Sequence, residues 1–345
     1  MPNLPPADRS EAAQLGLNAL SAYRVCLAFQ QQVTEKPLIT HARILGYLIL
    51  HAPTENARHE IVKAIHSCNN DFNVLSKLGQ SFIDYYIRPF KKFKGRTPAP
   101  SDHPSRPSFD KDKKDLQGTI REAPKSHVDA KEQALERDGL RCVVTGMFDF
   151  AASRSISDQQ VIAAGGAVNT ECAHIVPDST YFDVSNTPTS SSVKKEYSAS
   201  VLAVLKRFGY DVESLNGPKV HSLYNVMTMQ HDVHDWFDRL DMWFEETNVA
   251  NCYNVKTTSN RLQVPRQVTF TSSDPTKYPE LPSPRLLALH AACAKVAHLS
   301  GAGEHIDSLD RDMDHLGVLA FDGSSSTVLN HALWNKATHS IGVMG

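Results

Sequence analysis

Three short segments carry side chains able to do chemistry together. They are residues 172–177 (CAHIVP), the single Asn225, and residues 231–238 (HDVHDWFD). In order they read His174, Asn225, His234, with Asn225 nine positions before His234. A neutral imidazole, with an unperturbed pKa of ~6.5, can take a proton from water near neutrality. His234 and Asp238 stand at i and i+4, so on a helix they share one face and can offer nitrogen and oxygen to one divalent ion. A base that activates water, beside a Lewis acid that stabilises charge on phosphate and leaving oxygen, is the equipment for phosphodiester hydrolysis. Asn225 precedes the helix, where a side-chain amide either pins a loop or joins the metal shell.

These residues need elements to position them. Residues 171–176 read as a strand stopped by Pro177, 223–227 as a short apolar run, 230–240 as a helix and 242–244 as a strand. Two further strands are expected at 252–255 and 267–270. Upstream, Ser126 is a candidate N-cap for a helix over 128–137 with Asp129 in its first turn, ended by Asp138-Gly139. A β-prone run at 141–144, a turn at Thr145-Gly146 and a small apolar stretch at 161–168 follow. Residues 181–192 form a polar loop. Residues 193–208 form an amphipathic helix inserted between His174 and Asn225.

The flanks are plainer. Residues 10–93 repeat apolar positions at three and four, as helices do, with Thr54 as an N-cap. Residues 94–125 carry Pro98, Pro100, Pro104, Pro107 and Pro124 among Ser, Asp and Lys, and read as a linker. Pro284 opens a last clear helix over 285–299, and the tail beyond Gly301 has weak periodicity. The domains expected are therefore a helical domain at 1–93, a linker at 94–125, a chemical domain at 126–256, and an extension at 257–345 whose helix packs on it.

Composition sets limits. The chain has 345 residues, 41% of them hydrophobic, and a formal charge of −2, which gives no global basic signature for nonspecific nucleic-acid binding. Its six cysteines are scattered with no C-x-x-C pair, which argues against a disulfide scaffold or a four-cysteine zinc site and for an intracellular home, nucleus or cytoplasm. No apolar run is long enough for a membrane span. The most basic stretch, residues 88–96, is either a solvated helix end or a phosphate contact. His231 reads as a surface residue, and Trp236, Phe237, Trp243 and Phe244 as core.

Taken in order, 137–146 (RDGLRCVVTG), 171–177 (ECAHIVP), Asn225 and 234–238 (HDWFD) resemble the HNH, or ββα-metal, endonucleases. The match is to the HNH domains common in fungal proteins, and it covers roughly residues 128–255. The resemblance implies an α+β fold: a helical N-terminal domain, then a ββα-metal domain with flanking strands and helices. It implies a DNA-binding, metal-dependent hydrolase in which His174 is the general base, Asn225 orients the loop or binds metal, His234 ligates metal, and Asp238 is a second ligand. The implied cofactor is one divalent ion, Mg²⁺ favoured, with Mn²⁺, Ni²⁺ or Zn²⁺ as alternatives. The implied partner is nucleic acid, DNA favoured over RNA, with a protein partner conceivable for the N-terminal helices and no membrane. Arg141 and Arg239 are candidates to neutralise phosphate.

One departure matters. Many relatives carry a metal ligand just before the catalytic His, where this chain has Ala173. Cys172 points to the opposite strand face and is a poor substitute. The alternative reading is a weak or inactive HNH-fold module that binds nucleic acid or a protein.

Overall fold

The computed structural model describes residues 2–91, 107–121, 123, 127–181 and 190–315. In chain order the helices are α1 Leu17–Gln32, α2 Lys36–Leu50, α3 Glu55–His66, α4 Phe72–Phe82, α5 Arg88–Phe90, α6 Pro107–Thr119, α7 Val128–Arg137, α8 Asp158–Ala163, α9 Ser190–Arg207, α10 His231–Asp238, α11 Pro284–Ser300 and α12 Ala302–His315. The strands are β1 Phe148–Asp149, β2 Ala167–Val168, β3 Thr170–His174, β4 Val226–Gln230, β5 Met242–Glu246, β6 Cys252–Thr257 and β7 Gln267–Thr269. Among the described residues no helix is long and apolar enough to cross a membrane.

Two compact units emerge, neither continuous in sequence. One gathers residues 1–119, 183–208 and 296–345, and the other 120–182 and 209–295. α9 and α12 belong to the first of these units.

In the helical unit, Thr54 caps α3 as expected: its hydroxyl accepts from the Ala57 amide at 3.0 Å and donates to the Phe208 carbonyl at 2.6 Å. α2 buries Ile44, Leu45, Leu48 and Ile49. A π-turn over Ile83–Ile87 leads from α4 into α5. The stretch expected to be a linker contains α6. That helix is poor in apolar residues and rests on ion pairs: Lys113 with Glu196 at 2.5 Å, and Asp112 with Lys206 at 3.2 Å and Arg207 at 3.0 Å. Leu116 is its buried apolar anchor. α12 is a second helix that the weak periodicity of the tail concealed, with Ala302 and Ile306 buried. Of the basic stretch, Arg88 pairs with Asp84 at 3.3 Å and Lys91 with Asp307 at 3.1 Å, so both charges are used internally. Residues 92–96 lie outside the described residues.

Among the described residues the second unit holds three small sheets: β1 parallel to β2, β3 antiparallel to β4, and β5-β6-β7 antiparallel. Register runs from Thr170 opposite Gln230 to His174 opposite Val226. α10 starts at the residue after β4, giving a strand–strand–helix unit. Phe237 of α10 faces inward and stacks on His290 of α11 at 3.7 Å between ring centroids. Ser126 lies outside the described residues. The N-cap position of α7 is His127, whose side chain makes no capping bond.

Arg137, at the end of α7, is fully buried. Its guanidinium forks onto Asp138 at 2.8 and 3.1 Å and donates to the carbonyls of Leu223 at 2.6 Å and Val226 at 2.9 Å. Asp138 in turn accepts from the Thr228 amide at 2.8 Å. Gly139, at φ +70°, turns the chain away after the helix, and the Thr145 amide donates to Cys142 Sγ at 3.4 Å in the following knuckle. Removing one member of a buried, hydrogen-bonded pair leaves the other charge uncompensated. Arg137→Met is therefore expected to lower unfolding free energy by about 3–5 kcal/mol, measured by urea denaturation; a loss within error of zero would show that the pair does not anchor this unit.

Candidate functional site

β3 ends at His174 and β4 begins just after Asn225, so the pairing of these strands brings the two residues to the same end of the hairpin. Asn225 is fully buried. Its Oδ1 accepts from the Val176 amide at 2.9 Å, and its Nδ2 donates to the carbonyls of Val176 at 3.0 Å and Val220 at 2.8 Å. Its polar atoms are thus spent on backbone. Of the two roles expected for Asn225, the geometry carries the loop pin; as a metal ligand it would have to give up its bond to Val176.

His174 is buried at the strand end. Its Nε2 lies 2.9 Å from Nδ1 of His221, and its ring packs edge-on against His127 and His221, at 5.2 and 5.0 Å between centroids. Burial, then the neighbouring His221, His127 and His234, push its pKa down to about 3. His174 is neutral over the whole physiological range.

His234 is treated oppositely. Its Nδ1 is 2.7 Å from Glu171 Oε2 and its Nε2 is 3.3 Å from Asp238 Oδ2. Burial lowers its pKa, but the bonds to Asp238 and Glu171 outweigh this, and the net shift is upward. Glu171 also takes His231 Nδ1 at 2.9 Å. Burial raises the Glu171 carboxyl, and the two histidines more than offset that, leaving it below its ordinary value.

Glu171 is the residue that sequence reasoning passed over. It sits two positions before Ala173, on the same strand face, and supplies a carboxylate on the side where Ala173 supplies nothing. The alternation of β3, together with the i, i+3 spacing of His231 and His234, was the available signal. Cys172 lies on the other face, in a small apolar cluster with Ala134, Val226 and Leu223, and burial pushes its thiol up to about 12. It fills space. The two arginines considered for phosphate are otherwise engaged: Arg141 lies over the Phe148 ring at 4.3 Å, and Arg239 pairs with Asp241 at 3.5 Å and Asp235 at 3.8 Å.

His234 and Asp238 together offer one nitrogen and one oxygen donor, 3.3 Å apart. When Nδ1 of His234 donates to Glu171, the lone pair of Nε2 is left facing the Asp238 carboxylate. A carboxylate that fixes the tautomer of a metal-binding histidine in this way is a recurrent arrangement in metal sites.

The ordered residues and their placement on two strands and a helix agree with an independent comparison: the family model for HNH endonucleases matches residues 142–245. This segment is an HNH domain. It is a nuclease-type domain, and the family in general uses a divalent metal. Its strand–strand–helix core is the unit built from β3, β4 and α10. No curated protein and no solved structure matches the chain.

His290, wholly buried against Phe237, is likewise pushed down by burial, to about 3. Both His174 and His290 are neutral when folded, whereas unfolded histidine titrates near ~6.5. The unfolded chain therefore binds more protons below that pH. The contribution of these two histidines to stability is complete above ~6.5 and falls as pH drops toward about 3. The urea midpoint of His290→Gln is expected to depend less steeply on pH between ~6.5 and ~4 than that of the native chain; parallel curves would show that His290 is protonated in the fold.

Proposed function

We propose that this chain is a metal-dependent endonuclease that hydrolyses nucleic-acid phosphodiesters, DNA favoured over RNA. The observation that carries the reading is His234, held by Glu171 on one nitrogen and facing Asp238 with the other, near enough to the neutral His174 for a charge on one to bear on the other. His234 Nε2 and Asp238 would hold the ion, and two protein ligands leave positions for water and phosphate oxygens. A bound ion supplies Lewis-acid stabilisation of the transition-state charge and a template for the phosphate. An imidazole–carboxylate pair suits Ni²⁺ or Zn²⁺ better than Mg²⁺.

The remaining roles belong to the chain itself. His174 donates Nε2–H to His221 Nδ1 and accepts the proton of the attacking water at Nδ1. Asn225 keeps the backbone at Val176 in place, so that His174 leaves the strand at a fixed angle. Glu171 holds His234 in the tautomer that ligates.

A non-cleaving module that binds nucleic acid or a protein is the second reading. It is favoured by Ala173 and by the burial of His174, which makes it a weak base.

Nicking of supercoiled plasmid with Mg²⁺, Mn²⁺, Ni²⁺ and Zn²⁺, with a parallel RNA substrate, separates the two. His174→Ala is expected to slow cleavage by about 10²–10⁴-fold, and Glu171→Gln to weaken divalent-ion affinity by about 10–100-fold. No cleavage with any ion, or cleavage indifferent to His174→Ala, would refute the enzyme reading and leave the binding module.

A further inference from the structure

A second cluster lies against His174. His127 at the start of α7, Asp178 just beyond β3, and His221 shortly before Asn225 bring one ligand atom each within 4.8 Å of one another. None of the three belongs to the motif residues discussed above. Nδ1 of His127 is buried without a hydrogen-bond partner and stands 4.0 Å from Oδ2 of Asp178. That separation is too long for a hydrogen bond. It is only slightly wider than the gap between two donors sharing one ion at ~2.0–2.2 Å. The His127 and His221 rings lie face to face at 5.4 Å between centroids, with an interplanar angle of 24°. His127 therefore uses its side chain for this cluster instead of capping α7.

We propose that His127, Asp178 and His221 form a second cation site, separate from His234 and Asp238, that takes a borderline divalent ion of the zinc class. Two imidazoles and one carboxylate with an open fourth position are a donor set for zinc; magnesium prefers carboxylates, carbonyls and water. The ligands come from three chain segments that meet around His174, so a bound ion clasps the start of α7, the exit of β3 and the approach to β4. Loading also reaches His174. If His221 ligates through Nδ1, that lone pair is used. If it ligates through Nε2, Nδ1 carries the proton. In either case His221 no longer accepts a hydrogen bond from His174 Nε2. The site itself does not depend on the chain being a nuclease.

The test uses the full chain carrying His234→Ala and Asp238→Asn, which removes the other site. It is stripped with chelator, loaded with Zn²⁺ or Co²⁺ and desalted. About one equivalent of tightly held ion is expected, by elemental analysis, with a cobalt d–d spectrum of a four- or five-coordinate ion and a rise in melting temperature that Mg²⁺ does not give. Adding Asp178→Asn and His221→Gln should abolish all three. His127→Gln, at a helix end, serves as the milder variant where circular dichroism shows the double change to be unfolded, and it should cut zinc affinity at least tenfold. Retention of zinc and of the melting shift in these variants, or no zinc retained by the folded parent, overturns the proposal. Both readouts are independent of cleavage: a native chain that cleaves nothing would sink the nuclease reading, while zinc held by this variant would leave the site standing.

Discussion

The buried Arg137–Asp138 pair is the interaction on which the candidate site hangs. Arg137 grips the carbonyls of Leu223 and Val226, on either side of Asn225, while Asp138 holds the amide of Thr228 further along β4. Asn225 is thus fixed from outside before its own side chain reaches across to Val176 and Val220. Burying this pair is costly, and it is tolerated because each oxygen and most of the guanidinium find partners with short, direct geometry. The Arg-Asp-Gly of the sequence pattern, which does no chemistry, is the bracket that holds the loop.

Two histidines of the same domain are sent in opposite directions by their surroundings. His174 is buried beside other imidazoles, and both the burial and those neighbours disfavour a positive charge. His234 is flanked by two carboxylates that favour one. Separation of this kind is how one fold assigns different jobs to chemically identical groups. It follows from which strand face each occupies: His174 at the end of β3, and His234 across from Glu171, on the face that Glu171 shares with Ala173.

The elements around the site were largely legible in the sequence. The period of two in β3, the turn residues after α7, and the i, i+4 spacing in α10 are local signals, and the N-cap of α3 by Thr54 appeared as expected. Two helices were not legible. α6 is built from alternating charges with one buried leucine, and its partners lie on α9, far away in sequence. α12 carries a helical period in Ala302, Ile306, Leu309 and Met313, but the weakly periodic tail around it obscured the signal. α9 interrupts the chemical segment in sequence but belongs to the helical unit, a grouping that only contacts distant in sequence create.

What the sequence determined by itself was the ordered set His174, Asn225, His234 and Asp238, together with the strand–strand–helix unit that carries it, because both rest on spacing along a single stretch of chain. Tertiary structure decided the rest. It spent the amide of Asn225 on backbone, supplied Glu171 opposite His234, and gathered His127, Asp178 and His221 around His174. Those outcomes depend on strand register, helix docking and the direction of side chains from segments far apart in sequence, and no local periodicity encodes them.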